Sequence, residues 1–400
     1  MKQAQDLIDR SAEEGSRVVA LALLSDADQA AQALGRRDDD EALHDFRVAL
    51  RRLRSALRAL RPWLAGTVRR THEKRLKRLG RDTNAARDAE VQLAWLAAER
   101  ETLAAGRRQA GFDLLTSRLE ERRGQASGGH ARLVARYHKA AERLRRRLGR
   151  YVVQLESVEH LAFAAVMGGL LSDQLEVVRT RLAAVRGASD EQRIHRARIE
   201  AKRLRYLLEA LRPSGQVDPR PAVKHLKRLQ DLLGELHDSH VLATEIADVL
   251  AEVSVERARW LVQDGPAGRA LGRQALRDSP RPGLLAAERR LATRRDGLHA
   301  ALEREWDSAG FEVLAADVLA LVSALEARAG GQLVRLRRWL LSSFPSVLGD
   351  VPTRELDEGW LPGTRLRECV RRERGPDGER WSRALAQGAG PWRLAVEEET

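Results

Sequence analysis

The sequence predicts a mainly α fold, with two homologous antiparallel helical bundles and a small β-containing tail. Only Pro62 interrupts the first 212 residues, which are rich in the strong helix formers Ala, Leu, Arg and Glu. Segments of this region recur about 150 residues later. The last 70 residues contain five of the 12 prolines and four of the eight tryptophans, a change of composition that begins near Gly330. We therefore expect one bundle over residues 1–160, a second over 161–330 and a β segment over 331–400.

The internal repeat consists of three features in the same order and at nearly the same offset. Each copy has a histidine, then an LKRL segment, then a basic residue followed by aspartate nine residues after the last leucine. The period exceeds that of solenoid repeats and matches the size of a normal domain. The features are His44, 76–79 and Arg87 with Asp88 in the first copy, and His195, 226–229 and His237 with Asp238 in the second.

Each copy also carries a stripe of positive charge on a predicted helix. At about 100° per residue, the basic residues of HDFRVALRRLRSALR (44–58) share one side, beside a separate apolar stripe. The segment HRARIEAKRLR (195–205) has the same arrangement, and no acid interrupts either stripe. A solvated helix face usually mixes both signs of charge, so two single-sign stripes favour a polyanion-binding surface. We call them the first ridge (His44, Arg47, Arg51, Arg54 and Arg58) and the second ridge (His195, Arg198, Lys202 and Arg205).

A second basic set follows each ridge at the repeat offset. Lys74, Lys77 and Arg78 correspond to Lys224, Lys227 and Arg228. If the helices that carry them pack beside the ridges, the basic groups would face a common groove with a field that attracts an extended polyanion.

The overall charge leaves the class of partner open. Lys and Arg number 71 against 58 acids, which gives a net charge of +13. This balance suits nucleic acid, an anionic membrane face or a phosphate polymer. Nucleic acid remains the alternative, but the aromatic content of 4% offers few platforms for stacking bases.

The sequence lacks the usual signatures of catalysis and metal binding. Cys369 is the only cysteine, so an internal disulfide and a cysteine-built zinc site are excluded. There is no Gly-rich phosphate loop and no GxSxG, and we expect no enzyme activity, metal or cofactor. The HDSH segment (237–240) is interpreted as an aspartate near a helix start rather than a metal cluster. The first residues form no signal peptide and the apolar run at 161–171 is too short to span a bilayer, so we expect a cytoplasmic protein without membrane insertion.

Four of these segments together resemble the CHAD domain (conserved histidine α-helical domain) family. HDFRVALRRLRSALR and IHRARIEAKRLRYLLEALRP resemble its two conserved helices. LKRLGRDTNAARDAEV and LKRLQDLLGELHDSHV resemble its paired segments that end in a basic residue and aspartate. The first of these departs from the family in having Thr83 and Asn84 where Leu-Gly is usual. The resemblance covers residues 15–325.

The resemblance implies two helical bundles around a basic cavity that binds inorganic polyphosphate, and association with polyphosphate granules. The candidate polyphosphate-binding residues are His44, Arg47, Arg51, Arg54, Arg58, Lys74, Lys77, Arg78, His195, Arg198, Lys202, Arg205, Lys224 and Lys227.

The tail resembles the opening part of a CYTH-type (triphosphate tunnel) domain. RRWLLSSFP (337–345) and GWLPGTRLRE (359–368) carry the similarity. The acidic ExExK opening of that family is replaced by LVRLRRW, and the last residues, EEET, come too early to close a tunnel barrel. We expect a partial or degenerate domain, and a triphosphate hydrolase activity there is the least favoured alternative.

Overall fold

The structure is a computed structural model of the chain. It describes residues 7–37, 40–64, 67–127, 130–149, 161–263 and 279–330, together with the backbone of four strands beyond residue 353. The predicted mainly helical class is confirmed for this part of the chain.

Eight α-helices of the described part of the chain precede residue 160. They are α1 (Ala12–Arg37), α2 (Asp40–Ala59), α3 (Arg61–Leu64), α4 (Arg70–Arg81), α5 (Asn84–Ala98), α6 (Arg100–Leu103), α7 (Gln109–Ser127) and α8 (His130–Gly149).

Five helices follow. They are α9 (Phe163–Ala183), α10 (Glu191–Leu211), α11 (Arg220–Gln263), α12 (Arg281–Glu305) and α13 (Ser308–Arg328). Helix α11 has 44 residues and corresponds in the repeat to α4 and α5 together, which are separated at Asp82 and Thr83.

The helices pack as three groups of four. Within each group every helix contacts two of the others, and we call such a group a ring. In the first ring α1 contacts α2 and α8, and α4 contacts the same two helices. In the second, α9 contacts α10 and α13, and α11 contacts the same two. The third ring joins α5 and α7 to the distal part of α11 and to α12, so it combines helices from both sides of the boundary predicted near residue 160.

The hydrophobic core follows these rings. One cluster fills the first two rings without a break, because α1 packs on α9 and α2 packs on α10. A second cluster fills the third ring, where Leu115 and Leu119 of α7 pack with Ile246 of α11 and Leu284 and Leu291 of α12. Both clusters therefore bury residues from the two predicted halves together.

The tail contains a four-stranded antiparallel meander in the order β1-β2-β3-β4. The strands are β1 (Arg354–Trp360), β2 (Leu366–Gly375), β3 (Gly378–Gln387) and β4 (Arg393–Glu399). Strands β2 and β3 pair from Leu366 opposite Gln387 to Gly375 opposite Gly378. RRWLLSSFP lies outside the described residues, as does LPGTR within GWLPGTRLRE.

Among the described residues, α13 is the one helix long and apolar enough to cross a membrane by length and composition alone. Its Phe311, Leu314 and Val318 are buried in the first hydrophobic cluster.

Candidate functional site

The two ridges lie on helices that pack against each other. The apolar stripe of α2 (Leu50, Leu53 and Leu57) is fully buried, and so are Ala201 and Leu204 of α10. Burying these stripes turns the basic flanks of both helices toward a shared cleft. An ion pair between Arg52 Nε of α2 and Glu209 Oε2 of α10, at 2.9 Å, joins the helices beside it.

The exposure of the ridge side chains differs between the two helices. In the first ridge His44 and Arg58 are exposed, Arg51 and Arg54 are half-buried, and Arg47 is 9% exposed. All four residues of the second ridge are half-buried. The centre of the cleft is therefore where cations are held closest together and farthest from water.

The pKa of Lys202 shows most clearly how closely these cations are held together. Burial, followed by the charges of Arg198, Arg51 and Arg205, lowers its pKa to about 6. Arg51 belongs to α2 and the other two to α10, so both ridges act on one ammonium group. Burial and these neighbouring charges together disfavour the protonated form, and an anion placed among the cations would relieve their repulsion.

Two histidines stack at one end of the second ridge. The rings of His195 and His237 are 4.6 Å apart between centroids. Burial is the main cause that lowers the pKa of both rings, and Arg198 adds to it; the pKa of His237 falls to about 3. Both rings are thus neutral near pH 7 and can each donate one N–H.

Two aspartates from equivalent places in the repeat accompany the buried arginines. Asp238 of α11 approaches Arg198 at 3.8 Å between Oδ1 and Nη2. Burial raises the pKa of Asp88 of α5, while the charge of Arg47 lowers it and that of Asp238 raises it. Each ridge thus has one arginine beside an aspartate. The two aspartates lie near enough for the charge of Asp238 to raise the pKa of Asp88.

Glycines on the flanking helices lie next to ridge arginines. A Cβ on Gly80 of α4 would be 3.1 Å from Arg54 Nη1, and a Cβ on Gly234 of α11 would be 3.8 Å from Arg198 Nε. Helices α4 and α11 therefore form the side walls of the cleft.

The second basic set, which follows each ridge in the sequence, is placed differently from the ridges. Lys74, Lys77 and Arg78 on α4, and Lys224 and Lys227 on α11, are all exposed. They form no hydrogen bond or ion pair with the residues that the structure describes. Arg228 pairs with Glu305 of α12 at 2.8 Å instead.

No metal centre accompanies the cleft in the described part of the chain. No group of three His, Cys, Asp or Glu side chains there could hold a metal ion. The HDSH segment lies in the interior of α11, so its interpretation as a helix start is wrong. His237 and Asp238 instead contact the second ridge.

A comparison with known protein families shows which family the chain belongs to. A family model described as CHAD domain matches residues 19–247, more than half of the chain. The chain belongs to the CHAD domain family. The resemblance inferred from the four sequence segments is confirmed over this range.

A solved structure shares the fold of this CHAD domain. The crystal structure of the CHAD domain from the plant Ricinus communis superposes with a TM-score of 0.51 at 20% sequence identity, covering 78% of this chain and 93% of that one. The search of curated proteins found no match. These comparisons give no support to the CYTH-type resemblance of the tail, which stays a prediction.

Sequence reasoning missed three contributors to the cleft of this CHAD domain. His237 and Asp238 were recognised as a repeated pair but interpreted as the start of a helix, and Glu209 was not recognised at all. The repeat itself was the available signal for the first two, because the pair recurs at the offset of the ridges. Glu209 lies four residues after Arg205, where it pairs with Arg205 at 3.8 Å as well as with Arg52.

Proposed function

We propose that this CHAD domain binds inorganic polyphosphate without catalysis in the cleft between the two ridges. The two sequence repeats, as two helical bundles, would each supply one wall of basic side chains. Through this binding the protein would associate with polyphosphate granules in the cytoplasm. The family is linked to polyphosphate binding in general, which supports the choice of anion.

The observation that carries the proposal is that cations of both ridges converge on half-buried Lys202, whose pKa is lowered by burial and by those charges. A folded protein gains nothing from holding like charges together, so the arrangement implies a ligand that relieves the repulsion. Arg offers phosphate a planar bidentate fork, and Lys adds a point charge. Neutral His195 and His237 add ring N–H donors that need no charge.

Two alternatives remain. A nucleic-acid backbone also carries a row of phosphates, and the cleft would attract it. Tyr206 of α10 lies beside Arg205 but is only 5% exposed, so it offers little ring face on which bases could stack, and this favours a polymer without bases. Triphosphate hydrolysis by the tail is the weaker alternative, because it would need an acidic metal site.

The test is a titration of long-chain polyphosphate into the full chain at near-physiological salt, with and without excess single-stranded DNA. A ridge variant changes Arg51, Arg54, Lys202 and Arg205 to Ala. A control variant changes Arg132, Lys139, Arg259 and Arg304 to Ala, which removes the same formal charge from exposed positions outside the cleft.

We expect the wild type and the control variant to bind polyphosphate in the presence of DNA, and the ridge variant to bind at least about a hundredfold more weakly. This estimate assumes the loss of several charge-assisted hydrogen bonds. Equal displacement by DNA would favour the nucleic-acid alternative. Equal affinities of the ridge and control variants would show that the ridges are ordinary solvated faces.

A further inference from the structure

A second cluster of cations lies outside the cleft, where α4 and α8 pack together. Five arginines surround a cavity of about 370 Å³ between the first turns of α4 and the last turns of α8. They are Arg69, Arg75, Arg143, Arg146 and Arg147.

Few acids balance these charges. Arg146 faces Glu142 at 3.8 Å, with both side chains mostly exposed. The side chains of the other four arginines form no ion pair with any residue that the structure describes. Holding several guanidinium groups around one small cavity is unfavourable unless an anion occupies it.

His72 also lines the cavity. Its side chain is nine-tenths buried, and its Nδ1 accepts a hydrogen bond from the backbone N–H of Arg69 at 3.1 Å. The proton of the neutral ring is therefore on Nε2, which has no partner among the described residues. Burial, with the charges of Arg75 and Arg147, lowers the pKa of His72 and keeps the ring neutral.

The start of α4 also favours an anion in the cavity. Arg69 precedes the helix in an extended conformation, and the helix begins at Arg70. The first turn of a helix presents free N–H groups and the positive end of its dipole, and both favour an anion. The hydroxyl of Thr71, in this turn, also lines the cavity.

The cavity is separate from the cleft. Glu73 of α4 pairs with Arg61 at 2.9 Å and acts on the pKa of Arg54, so it faces the first ridge. Thr71 and Arg75 lie two residues to either side of Glu73, about 160° round the helix. Helix α4 thus has the first ridge on one side and the arginine cavity on the other.

We propose that this cavity is a second anion site, specific for adjacent phosphoryl groups such as a free diphosphate or a short length of a phosphate chain. Its size suits a compact ligand, and five planar guanidinium groups match the several oxygens of neighbouring phosphates. The site lies beyond the cleft proposed for polyphosphate and does not depend on that proposal.

The experiment measures binding of inorganic diphosphate and of long-chain polyphosphate by titration calorimetry with the full chain. The pocket variant is R75Q/R147Q. The matched control is R132Q/K139Q, which removes two exposed cations from α8 outside the cavity. Each pair of changes is made in the wild type and in the ridge variant, so that binding at the cavity and binding at the cleft are measured separately.

We expect diphosphate binding to persist in the ridge variant, to weaken at least about tenfold on adding R75Q/R147Q, and to stay within about twofold on adding R132Q/K139Q. A parallel loss of long-chain binding in the pocket variant would assign the site to a segment of the polymer. Retention of long-chain binding would assign it to a free short anion.

Diphosphate affinity that is the same in the pocket and control variants would overturn the proposal. That result would leave the cleft untouched, because the cleft is judged from long-chain binding in the ridge variant. Both pocket substitutions remove exposed, mutually repelling charges, so loss of binding through unfolding is checked by an unchanged or raised melting temperature.

Discussion

At the scale of single residues, Lys202 links charge to ligand binding. In the free protein its pKa is about 6, far below the ordinary value of 10.5. Because the unfolded chain would hold this proton more tightly, the contribution of Lys202 to the free energy of unfolding rises as pH increases from about 6 toward 10.5. A bound polyanion would raise the pKa of Lys202 again, so binding should take up a proton near neutral pH.

We therefore predict that polyphosphate affinity falls as pH rises above about 6, by at most about tenfold per unit for this one proton. The measurement is the titration heat in buffers of different ionisation enthalpy, which counts the protons taken up. K202R is the control, since its guanidinium stays charged throughout and should remove this part of the pH dependence. An unchanged proton count in K202R would show that another group titrates.

The roles of individual ridge residues were only partly predictable from the sequence. Helical periodicity placed Arg47, Arg51, Arg198 and Lys202 on one side of each helix, and the structure keeps them there. Their degree of burial depends on how closely α10 approaches α2, which one helix pattern does not specify. Lys74 and Lys227 show the opposite case, because the charge pattern grouped them with the ridges although both are exposed and form no ion pair with a described residue.

At the scale of helices, close backbone contacts fix the third ring. Helices α7 and α12 begin beside each other, and a Cβ on Gly111 would be 2.2 Å from Pro280 O. A Cβ on Gly283 would likewise be 2.2 Å from Arg108 O. Only glycine allows this approach, because the atoms it would meet belong to the backbone and cannot rotate away.

We predict that G111A lowers the free energy of unfolding by about 1 to 3 kcal/mol, because α7 and α12 must separate. G124A is the matched control. It lies on the same helix with open space around it, and alanine there should raise stability by about 0.5 to 1 kcal/mol. Urea denaturation of both variants measures the difference, and equal values would mean that the helix contact is looser than the structure indicates.

At the scale of the whole molecule, the three rings make the two sequence halves depend on each other. Ile246, Leu284 and Leu291 of the second half are covered by helices α5 and α7 of the first. The sequence repeat indicated where each half begins and ends. It could not indicate this sharing, because the apolar faces of α5 and α7 look the same whichever partner covers them.

We predict that residues 1–160 and 161–330, produced separately, each lose cooperative unfolding, because each exposes one side of the second hydrophobic cluster. Circular dichroism melts of each half, of their mixture and of the intact chain make the comparison. Mixing the halves should restore a sharper transition. A half that melts alone as sharply, and at the same temperature, as the intact chain would instead be an independent domain.

The pairing of two equivalent ridges has a consequence for any long, thin ligand. Arg51 and Lys202 come from different copies of the repeat yet lie close enough to shift one pKa. A polymer bound to one ridge would present its next units to the other at an effective concentration on the order of millimolar. Avidity would then make affinity increase steeply until the polymer reaches both ridges and change little beyond that length.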